Sequence, residues 1–417
     1  MEIHRSLYIQ KLISRKHNGM VKIITGLRRC GKSYLLFKLF YKHLLEEGVA
    51  DSEIIQIDLE NFSNEALREP GAILDYIKHR ITGEQTYYVL IDEVQLLNRF
   101  EEVLNTLLKN PQIDVYVTGS NARFLSKDVI TTFRGRGDEV RIHPLSFSEF
   151  ISTKQDTSFI ERYLNEYMYW GGLPQIVSMT DEEQKSAYLR GLFANTYLID
   201  IKERYDIRHD SDLDELIDVI ASTIGGLTNP LKIQNTFKSI KQSRITVNTI
   251  KNYLDYMQDA FLIERAVRYD IKGRKYIDTP CKYYFDDLGL RNARLNFRQT
   301  EQTHMMENLI YNELRLRGYS VDVGQVTINT RNEHGGSERR QLEVDFVCNK
   351  GHERLYIQSA FALPTIEKQQ QELNSLMRIN DSFQKIVIVG GLQPTYRNDD
   401  GILILNIFDF LLNKVII

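Results

Sequence analysis

The sequence predicts an α/β protein built around a parallel sheet, and three observations carry that prediction. The first is Gly26-Leu27-Arg28-Arg29-Cys30-Gly31-Lys32-Ser33, which satisfies the phosphate-loop template G-x-x-x-x-G-K-[ST] at every fixed position. The second is Tyr87-Tyr88-Val89-Leu90-Ile91-Asp92-Glu93, an apolar run closed by two carboxylates. Strands buried on both faces read as such runs, and their C-terminal edge is where α/β sheets bind ligands. The third is an alternation of helical and strand patterns from residue 301 onward.

Residues 21–25 are a short β-branched run ending at Gly26, and residues 32–47 keep a helical apolar period through Leu35, Leu36, Leu39 and Leu44. A phosphate loop needs this strand–loop–helix setting. Its glycines let backbone N–H groups close around phosphate oxygens, and the helix directs its N-terminal dipole at the same anions. Gly26 to Ser33 and the adjoining Tyr34 therefore form the expected nucleotide contact, with ATP and Mg²⁺ as the implied ligands. Lys32 supplies a charge at the β/γ-phosphates and the Ser33 hydroxyl a ligand to Mg²⁺. A strand is expected over 54–59, a helix over 64–82, a strand ending at Asp92, another over 113–117, and a last one over 134–142. Asp92 is placed to hold Mg²⁺ and Glu93 to orient or deprotonate an attacking water. Ser120 or Asn121, after the 113–117 strand, would sense the γ-phosphate. Arg134 and Arg136 are candidates to reach a nucleotide in their own chain or a neighbouring one.

Length and composition bound the rest. A chain of 417 residues, 42% hydrophobic and 26% charged, has the composition of a globular protein of several domains. Its three cysteines, Cys30, Cys281 and Cys348, are far apart, which argues against a disulfide framework or a zinc site. The N-terminus is charged and no run of 18 apolar residues occurs, so a cytoplasmic protein with no membrane partner is expected.

The phosphate loop, the Val-Leu-Ile-Asp-Glu-Val-Gln strand, Thr118-Gly119-Ser120-Asn121, and Gly135-Arg136 followed by His143-Pro144-Leu145-Ser146-Phe147-Ser148-Glu149-Phe150 together resemble the prokaryotic AAA-type ATPases that carry a C-terminal domain of unknown function. The resemblance implies a five-stranded sheet of the AAA type over residues 1–150, a sensor role for Asn121, an arginine finger at Arg136, and a capacity to form homo-oligomers. It supports a helical lid or connector over 151–227, where Tyr163, Leu164, Tyr167 and Met168 share one helical face and Trp170-Gly171-Gly172-Leu173-Pro174 interrupts it.

Residues 228–300 read as two helices, 231–240 and 246–257, around the turn Lys241-Gln242-Ser243-Arg244, then a basic hairpin from Arg268 to Lys275. This order predicts a winged helix-turn-helix. Residues 231–300 hold 14 Lys or Arg against 7 Asp or Glu, a local excess of 7 positive charges in a chain whose net charge is −3. Such a footprint fits phosphate-backbone binding. Duplex DNA is the expected partner, with Lys241, Arg244, Lys251, Lys272, Arg274 and Lys275 as contacts.

Residues 301–417 run helix (302–317), strands (320–328, 341–348, 354–359), helix (366–379) and strands (385–389, 402–406). The order resembles the core of restriction-endonuclease-like nucleases, whose metal chemistry needs a strand carboxylate and a Glu-x-Lys on the next strand. Glu307 and Asp345 stand at carboxylate positions, but Gln358 replaces the glutamate and Ala360 the lysine. A nuclease-like domain without activity is therefore expected. The leading reading is an ATP-hydrolysing switch acting on duplex DNA. An ATP-regulated nuclease and a signalling or scaffold ATPase that binds a protein are the alternatives.

Overall fold

The computed structural model describes residues 3–119, 135–207, 210–241, 243–331 and 337–415. It divides into two compact units, Met1–Leu145 and Ser146–Ile417.

In the first unit β1 (Val21–Gly26), β2 (Ile54–Asp58), β3 (Tyr87–Asp92), β4 (Ile113–Thr118) and β5 (Gly137–Ile142) form one sheet in the order β2-β3-β4-β1-β5. Every pairing is parallel. All six residues of β1 and of β3 are buried, as strands covered on both faces should be. Among the described residues four helices accompany the sheet: α1 (Ser6–Ile13); α2, made of Lys32–Tyr34, a π-helical stretch Leu35–Phe40 and Tyr41–Glu46; α3 (Pro70–Arg80); and α4 (Phe100–Leu107). The five-strand parallel sheet is the one the sequence predicts.

One helix is shorter than expected. The 64–82 segment is a 3₁₀ stretch, Phe62–Arg68, followed by α3 from Pro70. Proline lacks an N–H and holds the residue before it extended, so Glu69 (φ −90°, ψ 130°) interrupts the helix and Pro70 starts the next. A polar pair hides at the N-terminal end of two interior strands: Lys22 on β1 is fully buried and ion-paired with Asp114 of β4, which also accepts the Tyr116 hydroxyl at 2.9 Å.

The second unit starts with α5 (Phe147–Ile151), closed by a capping box in which Ser146 and Glu149 satisfy each other's backbone N–H. Next come α6 (Ile160–Trp170), α7 (Pro174–Val177), α8 (Glu182–Leu192, continued through Phe193–Leu198 and Ile199–Arg204), α9 (Asp210–Ser222), α10 (Pro230–Lys241) and α11 (Val247–Asp259). Beyond them lie β6 (Ile263–Asp270), β7 (Lys275–Phe285), α12 (Leu288–Arg294), α13 (Gln302–Leu316), β8 (Ser320–Arg331), β9 (Ser337–Lys350), β10 (Glu353–Ala360), α14 (Ile366–Met377), β11 (Gln384–Val389), β12 (Tyr396–Arg397), β13 (Leu403–Asn406) and α15 (Ile407–Leu411).

The helix pair α10–α11 and the β6–β7 hairpin appear in the expected order, but the hairpin is no separate wing. It belongs to an eight-stranded sheet, β12-β13-β11-β10-β9-β8-β6-β7, in which β6 pairs in parallel with β8 from Arg268–Val323 to Asp270–Gln325. The division expected at residue 300 is thus crossed by backbone hydrogen bonds. The connector is tied in as well. Asp287 caps α12 through the Leu290 N–H (2.9 Å) and accepts the Gly172 N–H (2.8 Å), while Asn292 Nδ2 donates to the carbonyls of Met168 and Tyr169 at the end of α6. At Gly171 (φ 78°) an added Cβ would lie 2.3 Å from Asp287 Oδ1, so the glycine that ends α6 is also what lets this carboxylate approach.

Asp287 has a pH consequence. Burial pushes its carboxyl up to about 6 in spite of the N–H groups that favour its charge. The folded value is raised above the unfolded one, so the proton it binds stabilises this unit fully below about pH 4, and that contribution is lost as pH rises through 6. We expect denaturant midpoints of the native protein to fall between pH 5 and pH 7.5, with a smaller fall for Asp287→Ala, which is itself less stable because the α12 cap is lost.

Candidate functional site

Parallel pairing brings three strand ends to one edge. β1 ends at Gly26, β3 at Asp92 and β4 at Thr118, and these strands are adjacent in the sheet. The loop after β1 turns sharply, with Gly26 at φ 137°, Arg29 at φ 65° and Gly31 at φ 100°. A Cβ at Gly26 would sit 2.1 Å from the Ile142 carbonyl oxygen, so the tight approach of loop to β5 admits only glycine. Lys32 is 5% exposed and its Nζ donates to the carbonyls of Gly26 (3.0 Å) and Leu27 (3.2 Å), lying back over the loop. Ser33 and Tyr34 are exposed at the start of α2.

The acidic pair sits beside this loop. Asp92 is buried and hydrogen-bonded with the hydroxyls of Thr118 and Ser33. Burial pushes its carboxyl above the ordinary aspartate value; the two hydroxyls oppose the shift, and Glu93 and Asp58 reinforce it. Glu93 adopts φ 51°, rare for a residue with a Cβ, while its N–H donates to Thr118 Oγ1 at 3.0 Å and its carboxylate accepts from Gln95 Nε2. Thr118 therefore fastens both carboxylate residues. In the sequence Thr118 stands only as part of the Thr118-Gly119-Ser120-Asn121 motif; its place at the tip of the strand beside β3 is the signal that points to this role.

Arg5, in the sequence only one charge of the N-terminus, has a structural place at the loop. It is 4% exposed, at φ 45°, and its guanidinium donates to the carbonyls of Cys30 (2.9 Å), His143 (2.7 Å) and Pro144 (3.4 Å). One side chain thus joins the phosphate loop to the residues after β5. No local pattern around residue 5 announces this, because the contact spans 25 residues on one side and 138 on the other.

The other expected site residues fare differently. Ser120, Asn121 and Arg134 lie outside the described residues. Arg136 is exposed and donates to Asn105 Oδ1 at 3.3 Å; its carbonyl accepts the N–H of Val21, the first residue of β1. That places it at the strand edge opposite the phosphate loop, about 17 Å away by the rise of a six-residue strand. The same-chain role considered for Arg136 does not fit this position.

In the second unit the cationic excess is partly consumed inside. Lys282 and Arg291 are buried, Arg294 pairs with Asp214 and Asp218, and Arg265 with Asp278. Arg244, Lys251, Lys272, Arg274 and Lys275 are exposed as expected, the last three around the β6–β7 turn, whereas the side chain of Lys241 lies outside the described part. Counting charges along the chain overstates the basic surface, because it cannot see which cations the fold neutralises.

Comparison with known proteins follows this division. Residues 18–151 match the model of an AAA domain, and residues 161–301 that of a domain of unknown function (DUF8612). An uncharacterised protein of Haemophilus influenzae is 34% identical over 414 residues, covering 98% of each chain. The chain belongs to the family of that protein. A further family relative, an uncharacterised protein of Methanocaldococcus jannaschii, is 29% identical over 88% of this chain and 80% of its own. Among solved structures, the Aeropyrum pernix Orc1 protein in complex with DNA aligns over 71% of this chain and 93% of its own at 13% identity, with a TM-score of 0.29, too distant to bear on function. This chain thus joins an AAA domain to a domain of unassigned role. Among the described residues no helix is long and apolar enough to cross a membrane.

Proposed function

We propose that the protein is an ATP-hydrolysing AAA-type switch whose nucleotide site is the sheet edge formed by Gly26–Ser33, Asp92, Glu93 and Thr118. The observation that carries this reading is the convergence of a phosphate-loop lysine, a buried aspartate bonded to Ser33, and a glutamate held in a strained backbone conformation. The residues present fit MgATP. The loop holds glycine at Gly26, where a Cβ would meet the Ile142 carbonyl, and Ser33 and Asp92 already share a hydrogen bond where a cation would take both oxygens. When bound, Mg²⁺ neutralises charge on the β- and γ-phosphates. Lys32 would exchange two carbonyls for phosphate oxygens, backbone N–H groups of the Gly26–Tyr34 loop would orient the anion, and Ser33 and Asp92 would hold the metal. Glu93, kept in place by the Thr118 hydroxyl, orients water and accepts its proton. ATP turnover by Lys32→Ala and Glu93→Gln tests the assignment.

Thr118→Val keeps the volume but removes the hydroxyl. It leaves Asp92 short of a donor and the Glu93 N–H without its acceptor, about 1–2 kcal/mol for each. We expect kcat to fall on the order of tenfold and the Mg²⁺ requirement to rise, as steady-state ATPase assays at varied Mg²⁺ would show; unchanged kinetics would remove Thr118 from the site.

Duplex DNA is the partner we propose for the second unit, on the ground of the exposed Lys272, Arg274 and Lys275 at the β6–β7 turn. Binding should weaken steeply with salt, and Lys272→Ala with Arg274→Ala should reduce the slope of log K against log salt by about 2. Affinity that is indifferent to salt points instead to a protein partner. The eight-stranded sheet, with its neutral Gln358 and Ala360, we read as a nuclease-like scaffold without hydrolytic activity, and Arg136 as able to act only on a neighbouring chain of a homo-oligomer.

A further inference from the structure

The second unit contains a cavity of about 800 Å³ that opens between the β6–β7 turn, the β9–β10 turn and the loop from α14 to β11. That is room for a small organic ligand or for one residue of a longer one. The cavity lies at the start of β10, at Glu353 and Arg354, whereas Gln358 and Ala360 stand near the end of the same strand. It is therefore a different place from the nuclease-like carboxylate position.

The floor is apolar. Ile271 and Ile379 line it and belong to the core packed beneath α14 with Leu373 and Leu376. One wall is Phe383, which is 40% exposed although it is well supported: the Arg354 guanidinium lies over its ring at 5.5 Å, and Tyr356 meets it at 6.4 Å in a T-shaped contact. Arg354 is itself fixed, since its Nε donates to Asn349 Oδ1 at 2.7 Å. A single exposed ring needs no explanation alone. Here, however, it shares its cavity with cations. Lys272 and Arg274 are exposed at the β6–β7 turn; Lys272 Nζ donates to the Thr327 carbonyl at 3.2 Å, and neither residue is ion-paired among the described residues. The turn that carries them is held by Asp270, which accepts the Gly273 N–H at 3.0 Å.

The carboxylates of the lining are engaged within the chain. Asp381 accepts the Tyr356 hydroxyl at 2.6 Å and the Phe383 N–H at 3.2 Å, and Glu353 is hydrogen-bonded with Tyr319. What the cavity offers a ligand is thus a supported aromatic face and cations with no carboxylate partner. An acidic peptide would answer the cations but not the ring. A nucleotide answers both, through its phosphate and one planar base, and that base has to be unpaired for its edge and face to enter.

We propose that this cavity binds one unpaired nucleotide, its base stacked on Phe383 and its phosphate held by Lys272 and Arg274. The inference rests on the reading of those two residues as phosphate contacts and goes beyond it, because a closed duplex has no base to give to Phe383.

The test uses full-length protein and a fluorescein-labelled oligothymidylate as the probe, with a duplex of the same length beside it, followed by anisotropy across salt. Phe383→Leu keeps an apolar side chain but loses the stacking face. It should weaken binding of the single strand by about tenfold or more and leave the salt dependence in place, while Phe383→Trp should bind as the native protein does. Lys272→Ala with Arg274→Ala should flatten that salt dependence. Free thymidine monophosphate that displaces the strand assigns the cavity to a free nucleotide, and displacement by unlabelled strand alone assigns it to single-stranded DNA; both support the inference. If Phe383→Leu does not fold, an oligothymidylate carrying iodouracil is photocrosslinked to the native protein and should mark the peptide containing Ile379 to Phe383. A folded Phe383→Leu protein with native affinity for the single strand overturns the proposal, as do crosslinks confined to other peptides, or polyglutamate that displaces the strand as well as unlabelled strand does. Duplex binding that persists beside such a result leaves the duplex reading intact, whereas single-strand binding lost in Phe383→Leu, with no duplex binding at all, removes only the duplex reading.

Discussion

Replacing Lys32 with alanine is expected to abolish ATP turnover, by at least about 10²-fold, while leaving the chain folded. The only described partners of Lys32 Nζ are two carbonyls of its own loop, at Gly26 and Leu27. Both bonds are buried, so removing the ammonium leaves two carbonyls short of a donor and should lower denaturant midpoints by about 1–3 kcal/mol, while circular dichroism stays that of the folded chain. Glu93→Gln should separate binding from chemistry. The amide keeps the size of the carboxylate but cannot accept a proton from water, so ATP binding persists and kcat falls by about 10²–10⁴-fold. Equilibrium binding of a fluorescent ATP analogue, set beside steady-state phosphate release, distinguishes the two variants. Retained turnover in both would place hydrolysis elsewhere or deny it altogether.

The second large effect belongs to a residue that makes no contact with phosphate in our reading. Arg5→Ala removes the donor from the Cys30, His143 and Pro144 carbonyls and the cation from the Tyr8 ring, 4.5 Å below it. Two of these bonds are to buried oxygens, and leaving them unmade should cost about 2–4 kcal/mol of the stability of the first unit. Because Cys30 lies within the phosphate loop, nucleotide affinity should weaken too. Arg5→Lys decides between charge and geometry: an ammonium on a shorter reach cannot span the loop and the residues after β5 together, so it should recover less than half of the loss. Full recovery by lysine would mean that charge alone matters at this position.

Much of the first unit was legible because its information is local. Gly26, Lys32 and Ser33 have a fixed spacing that a single loop must satisfy, and the apolar run ending in Asp92 and Glu93 announces a buried parallel strand by itself. The helix expected over 64–82 failed at Pro70 for a local reason that was also readable, since a proline there both ends and begins a helix. For Arg136 the sequence left both its own chain and a neighbouring one open, and the parallel pairing of β5 with β1 puts it at the end opposite the phosphate loop, which leaves only the neighbouring-chain role.

In the second unit the order of elements was read well and their grouping was not. Helix–hairpin order is visible along the chain, whereas the pairing of β6 with β8 joins residues more than 50 apart, and no turn or periodicity encodes it. The fate of Lys282 shows the same limit in its chemistry. On the sequence it is one of 14 cations in a basic stretch; in the fold it is sealed among Glu307, Glu343 and Asp345 and offers nothing to a phosphate backbone.

By itself, then, the sequence determined the phosphate loop, the acidic strand end, the five parallel strands and the neutral residues at 358 and 360. All of these are set by residue type at short spacing. Only the tertiary structure decided that Thr118 and Arg5 serve the loop, that Arg136 faces away from it, that the hairpin is part of an eight-stranded sheet, and that Lys282 is buried and paired with carboxylates. Those depend on which distant strands pair and in which direction, and burial of the shared core rather than local preference makes that choice.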